Sequence, residues 1–277
     1  MKMPSFLQRL DSANLRLRVL SALIMMPIVL FAVYWGGIVF DIVTIGTMAV
    51  GLYEWLRLVA PDMRAQMVGI ACTLMVSSLI AGALVSISCG AAAGFVLTIV
   101  LFALVKREHA AQAGWIAFGL PYVGGGGLAL LALRTAPLGC AGLAFYLLAV
   151  VWGTDIGAYM AGRLIGGPRL APVLSPSKTW AGLFGGMALA VILGYFAAEI
   201  GGAGHPAVAL ALSPVLALAA QAGDLFESYF KRRANVKESG DLIPGHGGVL
   251  DRIDGLVFAG IFASVFQAVV GQAIHWW

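Results

Sequence analysis

The sequence is poor in charge, histidine and cysteine. Of 277 residues, 17 are Lys or Arg, 13 are Asp or Glu, 4 are His and 3 are Cys. Charged residues make up 11%, against about 25% in an average soluble domain, too few to surround a soluble core with polar surface. Cys72, Cys89 and Cys140 lie in or beside apolar runs at no metal-ligand spacing. That excludes a metal centre built on them and leaves them as small buried hydrophobes. The net charge of +4 is small and sits mainly in loops. It reads as a determinant of membrane topology and a contact for anions rather than as a nucleic-acid footprint.

What is abundant is apolar: 61% of residues are hydrophobic and 36 are glycine. Several runs exceed the roughly 18 residues of a spanning helix, and small residues let membrane helices approach closely. The reading is an all-α polytopic membrane protein with about nine spans. They lie at roughly 19–36, 38–60, 67–87, 91–105, 113–133, 139–161, 180–200, 206–226 and 255–275. The first run follows Lys2, Arg9, Arg16 and Arg18, like a secretion signal. It is too long for one and ends in Val33-Tyr34-Trp35-Gly36 rather than a small-x-small cleavage site, so a retained helix is expected. Residues 1–18 are either a short interfacial helix, with Phe6, Leu7 and Leu10 on one side, or a tail. Residues 1–136 form an N-terminal helical region of four to five spans, and residues 137–277 the C-terminal catalytic region.

With the N-terminus inside, sixteen of the seventeen basic residues fall on the inner side of these spans and Arg134 alone falls outside, as the positive-inside rule requires. The C-terminus is then outside, with Trp276 and Trp277 expected at the interface. Every charged cluster of the second half lies in two inner loops, 162–179 and 227–254. Their chemistry faces the nucleotide-containing side, as in a bacterial inner-membrane protein with its site open to the cytoplasm. In the first half, Asp41 and Glu54 are acids within span two. Asp41 is expected to be solvated at a helix end, and Glu54 to pair with Arg57 three residues on. Gly124 to Gly127 within span five predict close helix packing or a break.

Ser228 to Asp254, SYFKRRANVKESGDLIPGHGGVLDRID, is the densest run of charge. Asp224 and Glu227 share a helix face at the end of span eight, and Asp251 and Asp254 share one at the start of span nine. If the loop folds back, these carboxylates meet, and repulsion between them is relieved by a cation. Oxygen donors without nitrogen or sulfur suit Mg²⁺. The alternative is pairing of Glu227 with Lys231 and of Asp254 with Arg252. Lys231, Arg232, Lys237 and Arg252 are candidates for phosphate contacts, as are Gly247, Gly248 and His246, because glycine lets the backbone approach a phosphate. His246 lacks partner histidines for a metal role. In the other loop, Ser175, Ser177, Lys178 and Thr179 precede Trp180. The glycine pattern of a P-loop is absent, but hydroxyls and a lysine at a helix start form an anion site. Asp155, Tyr159 and Arg163 line one helix face, with an ion pair at Asp155 as the structural alternative.

Ser228-x-x-Lys231-Arg232, Lys237 and Pro244-Gly245-His246-Gly247-Gly248-x-x-Asp251-Arg252-x-Asp254 resemble the signature of the phosphatidate cytidylyltransferase (CDP-diacylglycerol synthase) family. Ser175-Pro176-Ser177-Lys178-Thr179, Gln221-x-Gly223-Asp224-Leu225-x-Glu227-Ser228 and Asp155-x-x-Ala158-Tyr159-x-x-Gly162-Arg163 resemble further family segments. The likeness is strong over the C-terminal half and only hydropathic over the N-terminal half. Glu238 stands where the family usually has Asp, and Gly255 where Ser is frequent. The resemblance implies a nine-helix enzyme that uses CTP and Mg²⁺ to convert phosphatidate to CDP-diacylglycerol and pyrophosphate. It implies Asp224 and Asp251 as metal ligands, with Asp254 and Glu227 secondary and Glu238 held out, at a site for one cation or two. Asp224, Asp251, Lys231 and Arg252 are then the catalytic set. The partners are CTP and phosphatidate in the bilayer and no nucleic acid, and a homodimer is left open. Two rival readings are an ion-coupled transporter using Asp155, Asp224 and Asp251, and a lipid nucleotidyltransferase or kinase with another lipid acceptor.

Overall fold

The structure, a computed structural model, describes residues 12–135, 141–243, 245 and 247–277. The chain runs through helices α1 (Ser12–Trp35), α2 (Gly37–Val59), α3 (Ala65–Leu84), α4 (Ile87–Val105), α5 (Ala113–Arg134), α6 (Ala141–Leu164), α7 (Trp180–Ile200), α8 (Ala207–Arg233) and α9 (Leu250–Gly271). Between α6 and α7 lies an antiparallel hairpin of β1 (Arg169–Ala171) and β2 (Ser175–Thr179). Among the described residues, eight helices, α2 to α9, are long and apolar enough to cross a membrane, and the described apolar part of α1, Leu23–Trp35, is shorter. This is the all-α polytopic membrane fold that composition and hydropathy predict. The first eleven residues, including Phe6, Leu7 and Leu10, lie outside the described residues.

Four expectations need correction. Helix α8 runs on to Arg233 and α9 begins at Leu250, so the loop predicted at 227–254 spans only 234–249. The last turn of α8 carries Lys231, Arg232 and Arg233, cations that favour a helix C-terminus, while Asp251 favours the start of α9. Ser175 to Lys178 form strand β2 rather than a helix start, and only Thr179 caps α7, its Oγ1 accepting from the Gly182 amide at 3.0 Å. Trp276 and Trp277, expected to face the interface, are instead packed inside the protein, 1% and 7% exposed. Trp276 donates from Nε1 to Gln267 Oε1 at 2.7 Å. Glu54 does not pair with Arg57: Glu54 is buried, while exposed Arg57 donates to the Pro61 carbonyl at 3.2 Å and lies over the Tyr53 ring.

Helix α5 carries a π turn at Leu120–Gly124 containing Pro121, which has no amide to donate. The helix continues beyond it and Gly126 meets Val257 of α9, so the glycine run serves close packing and not a break. One apolar core surrounds Trp55 and joins α2, α3 and α5 to α8 and α9. A second joins α6, α7, α8 and α9 around Tyr146, Trp276 and Trp277. The loops with inner-side basic residues gather at one end. Arg64 pairs with Glu108 at 3.5 Å, and Arg232 Nε donates to the Leu174 carbonyl of the hairpin at 3.2 Å. Arg134 is at the other end, donating to the Val33 carbonyl at 2.9 Å.

Helices α6 and α7 touch through backbone. A methyl group at Gly157 would stand 2.5 Å from the Gly185 carbonyl oxygen and 2.9 Å from Leu189 Cβ. Gly157→Ala should therefore push the two helices apart and destabilise the protein by about 1–3 kcal/mol, the usual effect of overpacking, read as a lowered thermal midpoint in detergent.

Candidate active site

Three elements bring charge together at one end of the bundle: the last three turns of α8, the first turn of α9, and β2. Residues 224, 227, 228 and 231 of α8 recur at helical spacing and form one stripe. Within it Ser228 Oγ donates to Asp224 Oδ1 at 3.3 Å, and Lys231 Nζ lies 2.6 Å from Glu227 Oε2. The same ammonium lies 2.6 Å from Asp251 Oδ1 on α9, so one lysine joins the two helices. The side chains of Lys231, Glu227 and Asp251 are 12%, 0% and 6% exposed. Asp254 lies against Glu227, in electrostatic range of Asp224.

Asp251 is held on both oxygens. Oδ2 accepts from Ser239 N, Ser239 Oγ and Gly248 N, each at 2.9 Å. The Gly248 amide is thus committed to Asp251 rather than turned toward a phosphate. Gly247 takes a left-handed φ of 80° and pairs with Ile243 in an isolated bridge, a conformation glycine adopts at little expense. His246 lies outside the described residues.

Asp224 is the open member of the set, its side chain 37% exposed, with Oδ2 2.7 Å from Lys178 Nζ. Lys178 also donates to Gln221 Oε1 at 2.9 Å, so β2 delivers its lysine to α8. Its neighbours do not follow. Thr179 is buried and spent as a cap, and Ser175 and Ser177 stay on the hairpin, with Arg169 donating to the Ser177 carbonyl at 3.4 Å. Arg232 fastens the hairpin and also reaches the Val236 carbonyl at 3.4 Å. Arg163 of α6 donates to the Tyr159 hydroxyl at 2.6 Å.

A cavity of about 740 Å³ opens over these groups. Its polar part comprises Thr47, Asp155, Asp224, Lys231, Lys237, Glu238, Asp251, Arg252 and Asp254, and its apolar part includes Met25, Val29, Val43, Leu148 and Trp152. Of the predicted site residues, six line this cavity directly, and Lys178 and Glu227 contact those that do. Asp155 faces it too, in electrostatic range of Asp224, Lys178 and Arg252. The donor set fits Mg²⁺ in chemistry through Asp224, whose carboxylate is open to a cavity with room for phosphate oxygens and water. Among the described residues, no three His, Cys, Asp or Glu side chains form a preassembled cation cage. The charged groups crowd one end of the bundle, whereas a coupled transporter places its site near the midplane.

Sequence reasoning passed over Ser239 and assigned no role to Gln221. It saw Glu54 as an intramembrane acid but gave it the wrong partner. Residues 16–270 match the model of the cytidylyltransferase family. The chain is 40% identical over 270 residues to a Brucella suis protein named phosphatidate cytidylyltransferase, covering 94% of this chain and 96% of that one. A Pseudomonas aeruginosa protein of the same name is 33% identical over 268 residues, at 92% and 97% coverage. One from Helicobacter pylori is 44% identical over 116 residues, covering 42% and 43%.

Lys231→Met would leave Glu227 and Asp251 buried without their shared cation. Breaking a buried pair from one side removes about 3–5 kcal/mol, so a large drop in the thermal midpoint is expected. Lys231→Arg should recover part of it.

Proposed function

The chain belongs to the cytidylyltransferase family, and from that premise we propose that it transfers the cytidylyl group of CTP to phosphatidate, giving CDP-diacylglycerol and pyrophosphate. The observation that carries this reading is the two-part cavity. Carboxylates and cations line one side, where phosphates react, and apolar side chains of α1, α2 and α6 line the other, where the lipid stem of phosphatidate lies. The membrane helices give the acceptor a bilayer to dissolve in, while CTP arrives from water.

In the reaction, a phosphate oxygen of phosphatidate forms a bond to the α-phosphorus of CTP. The bond from that phosphorus to the bridging oxygen of the β-phosphate breaks, and pyrophosphate leaves with the electron pair. The nucleophile is already an anion near neutral pH, so no strong general base is needed. The barrier lies in bringing anions together, and cations aimed at the phosphates lower it. Lys231, Lys237 and Arg252 do this from the cavity, and Lys178 from β2. Asp224 and Asp251 would hold Mg²⁺, which would supply charge neutralisation and polarisation at the phosphates. Lys178 and Lys231, each within ion-pair distance of one of these aspartates, keep the two carboxylates close without repulsion.

The test is purified protein with labelled CTP and phosphatidate, assayed for CDP-diacylglycerol and pyrophosphate. Asp224→Asn and Asp251→Asn should each lower kcat by at least about 10²–10³-fold, as for loss of a main electrostatic stabiliser, with the protein still folded. Near-parental activity in both removes the metal assignment, and turnover of a different lipid acceptor in preference to phosphatidate replaces the substrate.

The positive-inside distribution supports a bacterial inner-membrane setting with this end of the bundle toward the cytoplasm. In a cysteine-free background, Asp241→Cys on the loop before α9 should react with a membrane-impermeant maleimide only in inverted vesicles. His205→Cys, between α7 and α8, should react only in right-side-out ones. The reverse labelling refutes the orientation.

A further inference from the structure

Glu54 is a buried acid of the N-terminal half that touches none of the groups just assigned, yet its carboxylate is nearly saturated with hydrogen bonds. Oε2 accepts from the Leu250 amide at 2.7 Å and from Ser239 Oγ at 3.2 Å, and Oε1 accepts from the Val249 amide at 3.0 Å. Val249 and Leu250 open α9, whose start has no cap from a neighbouring side chain. A helix start carries unsatisfied amides and partial positive charge, and an acid there satisfies both. Here the acid comes from α2, 196 residues away along the chain. The loop is shaped around it: a Cβ at Gly240 or at Gly248 would stand 2.5 Å from a Glu54 oxygen.

The hydroxyl of Ser239 lies between two carboxylates, 3.2 Å from Glu54 Oε2 and 2.9 Å from Asp251 Oδ2. Asp251 also takes the Ser239 and Gly248 amides. The segments that Glu54 grips, Ser239 and the start of α9, are therefore the segments that aim Asp251. We infer that Glu54 is a positioning residue for the transfer reaction: it holds the 239–250 loop and the first turn of α9 so that Asp251 faces the cavity. The inference rests on the reading of Asp251 as a member of the site, and Glu54 itself touches no substrate.

The experiment compares Glu54→Gln, Ser239→Ala and the double variant with the parent in kcat, in KM for CTP and in hydrogen exchange over residues 239–253. Glutamine keeps the volume but turns an NH₂ toward amides that need an acceptor. Loss of an outer partner of this kind lowers activity by about 10–100-fold, and here the loss should fall on kcat with KM for CTP within about twofold. Exchange at 249–250 should rise in Glu54→Gln, and the double variant should lose less than the product of the single losses because both act on Asp251. If Glu54 serves folding alone, the yield of folded protein falls while kcat per folded molecule stays within twofold of the parent, and the inference is overturned. Unchanged exchange in Glu54→Gln also overturns it. A parent inactive on phosphatidate would instead defeat the functional reading, and the exchange measurement would still decide whether Glu54 orders the loop.

Discussion

The ammonium of Lys231, set between Glu227 and Asp251, is the contact on which the site depends. Two carboxylates on adjacent helices, nearly out of water, repel unless a cation lies between them. At 2.6 Å from each, Lys231 turns that repulsion into a bond between α8 and α9. The helix ends can then meet closely enough for Gly223 of α8 to lie against the Asp254 carbonyl of α9. The price is desolvation of three charges, and it is borne by apolar packing elsewhere in the same helices.

That packing comes from α2. Its consecutive residues Glu54 and Trp55 point to different helices, as neighbours on a helix must. Glu54 reaches the start of α9. Trp55, fully buried, stacks on Phe226 of α8 at 5.9 Å between ring centroids and meets Phe230 edge-on at 4.6 Å. Its Nε1 donates to the Trp115 carbonyl at 2.9 Å, which satisfies the one polar atom of the indole. Phe226 and Phe230 are flanked in α8 by Asp224, Glu227 and Lys231, so the helix has an aromatic side fixed to the N-terminal half and a charged side open to the cavity. The N-terminal half is the part that holds the two charged helices in register.

The membrane class and most spans were legible because length and hydropathy are properties of contiguous residues. The span expected at 180–200 is the helix Trp180–Ile200. Asp224, Asp251 and Lys231 were legible for a related reason: acids at apolar run ends stand out, and their spacing of three and four puts them on helix faces. Misreadings arose where a partner lies far along the chain. Glu54 was assigned to Arg57 because Arg57 was near in sequence, while its real partners are the amides of residues 249 and 250. Ser239 carries no local signal, since its importance comes from lying between Glu54 and Asp251. The terminal tryptophans suggested an interface by residue type alone, but a hydrogen bond to Gln267 and contact with Tyr146 draw them inside.

The same geometry explains why the sequence is so sparing with charge. Reaction between two phosphate-bearing molecules needs cations, but cations and acids within lipid are tolerated only where they pair or meet water. The chain meets both demands by concentrating charge at one end and pairing it there: Lys178 with Asp224, Lys231 with Glu227 and Asp251. Lys237 and Arg252 line the cavity and are exposed, where an incoming phosphate can meet them. Asp224 stands between the two groups, paired yet more than a third exposed. It is the more accessible of the two paired aspartates, whereas Asp251 is fixed by four donors.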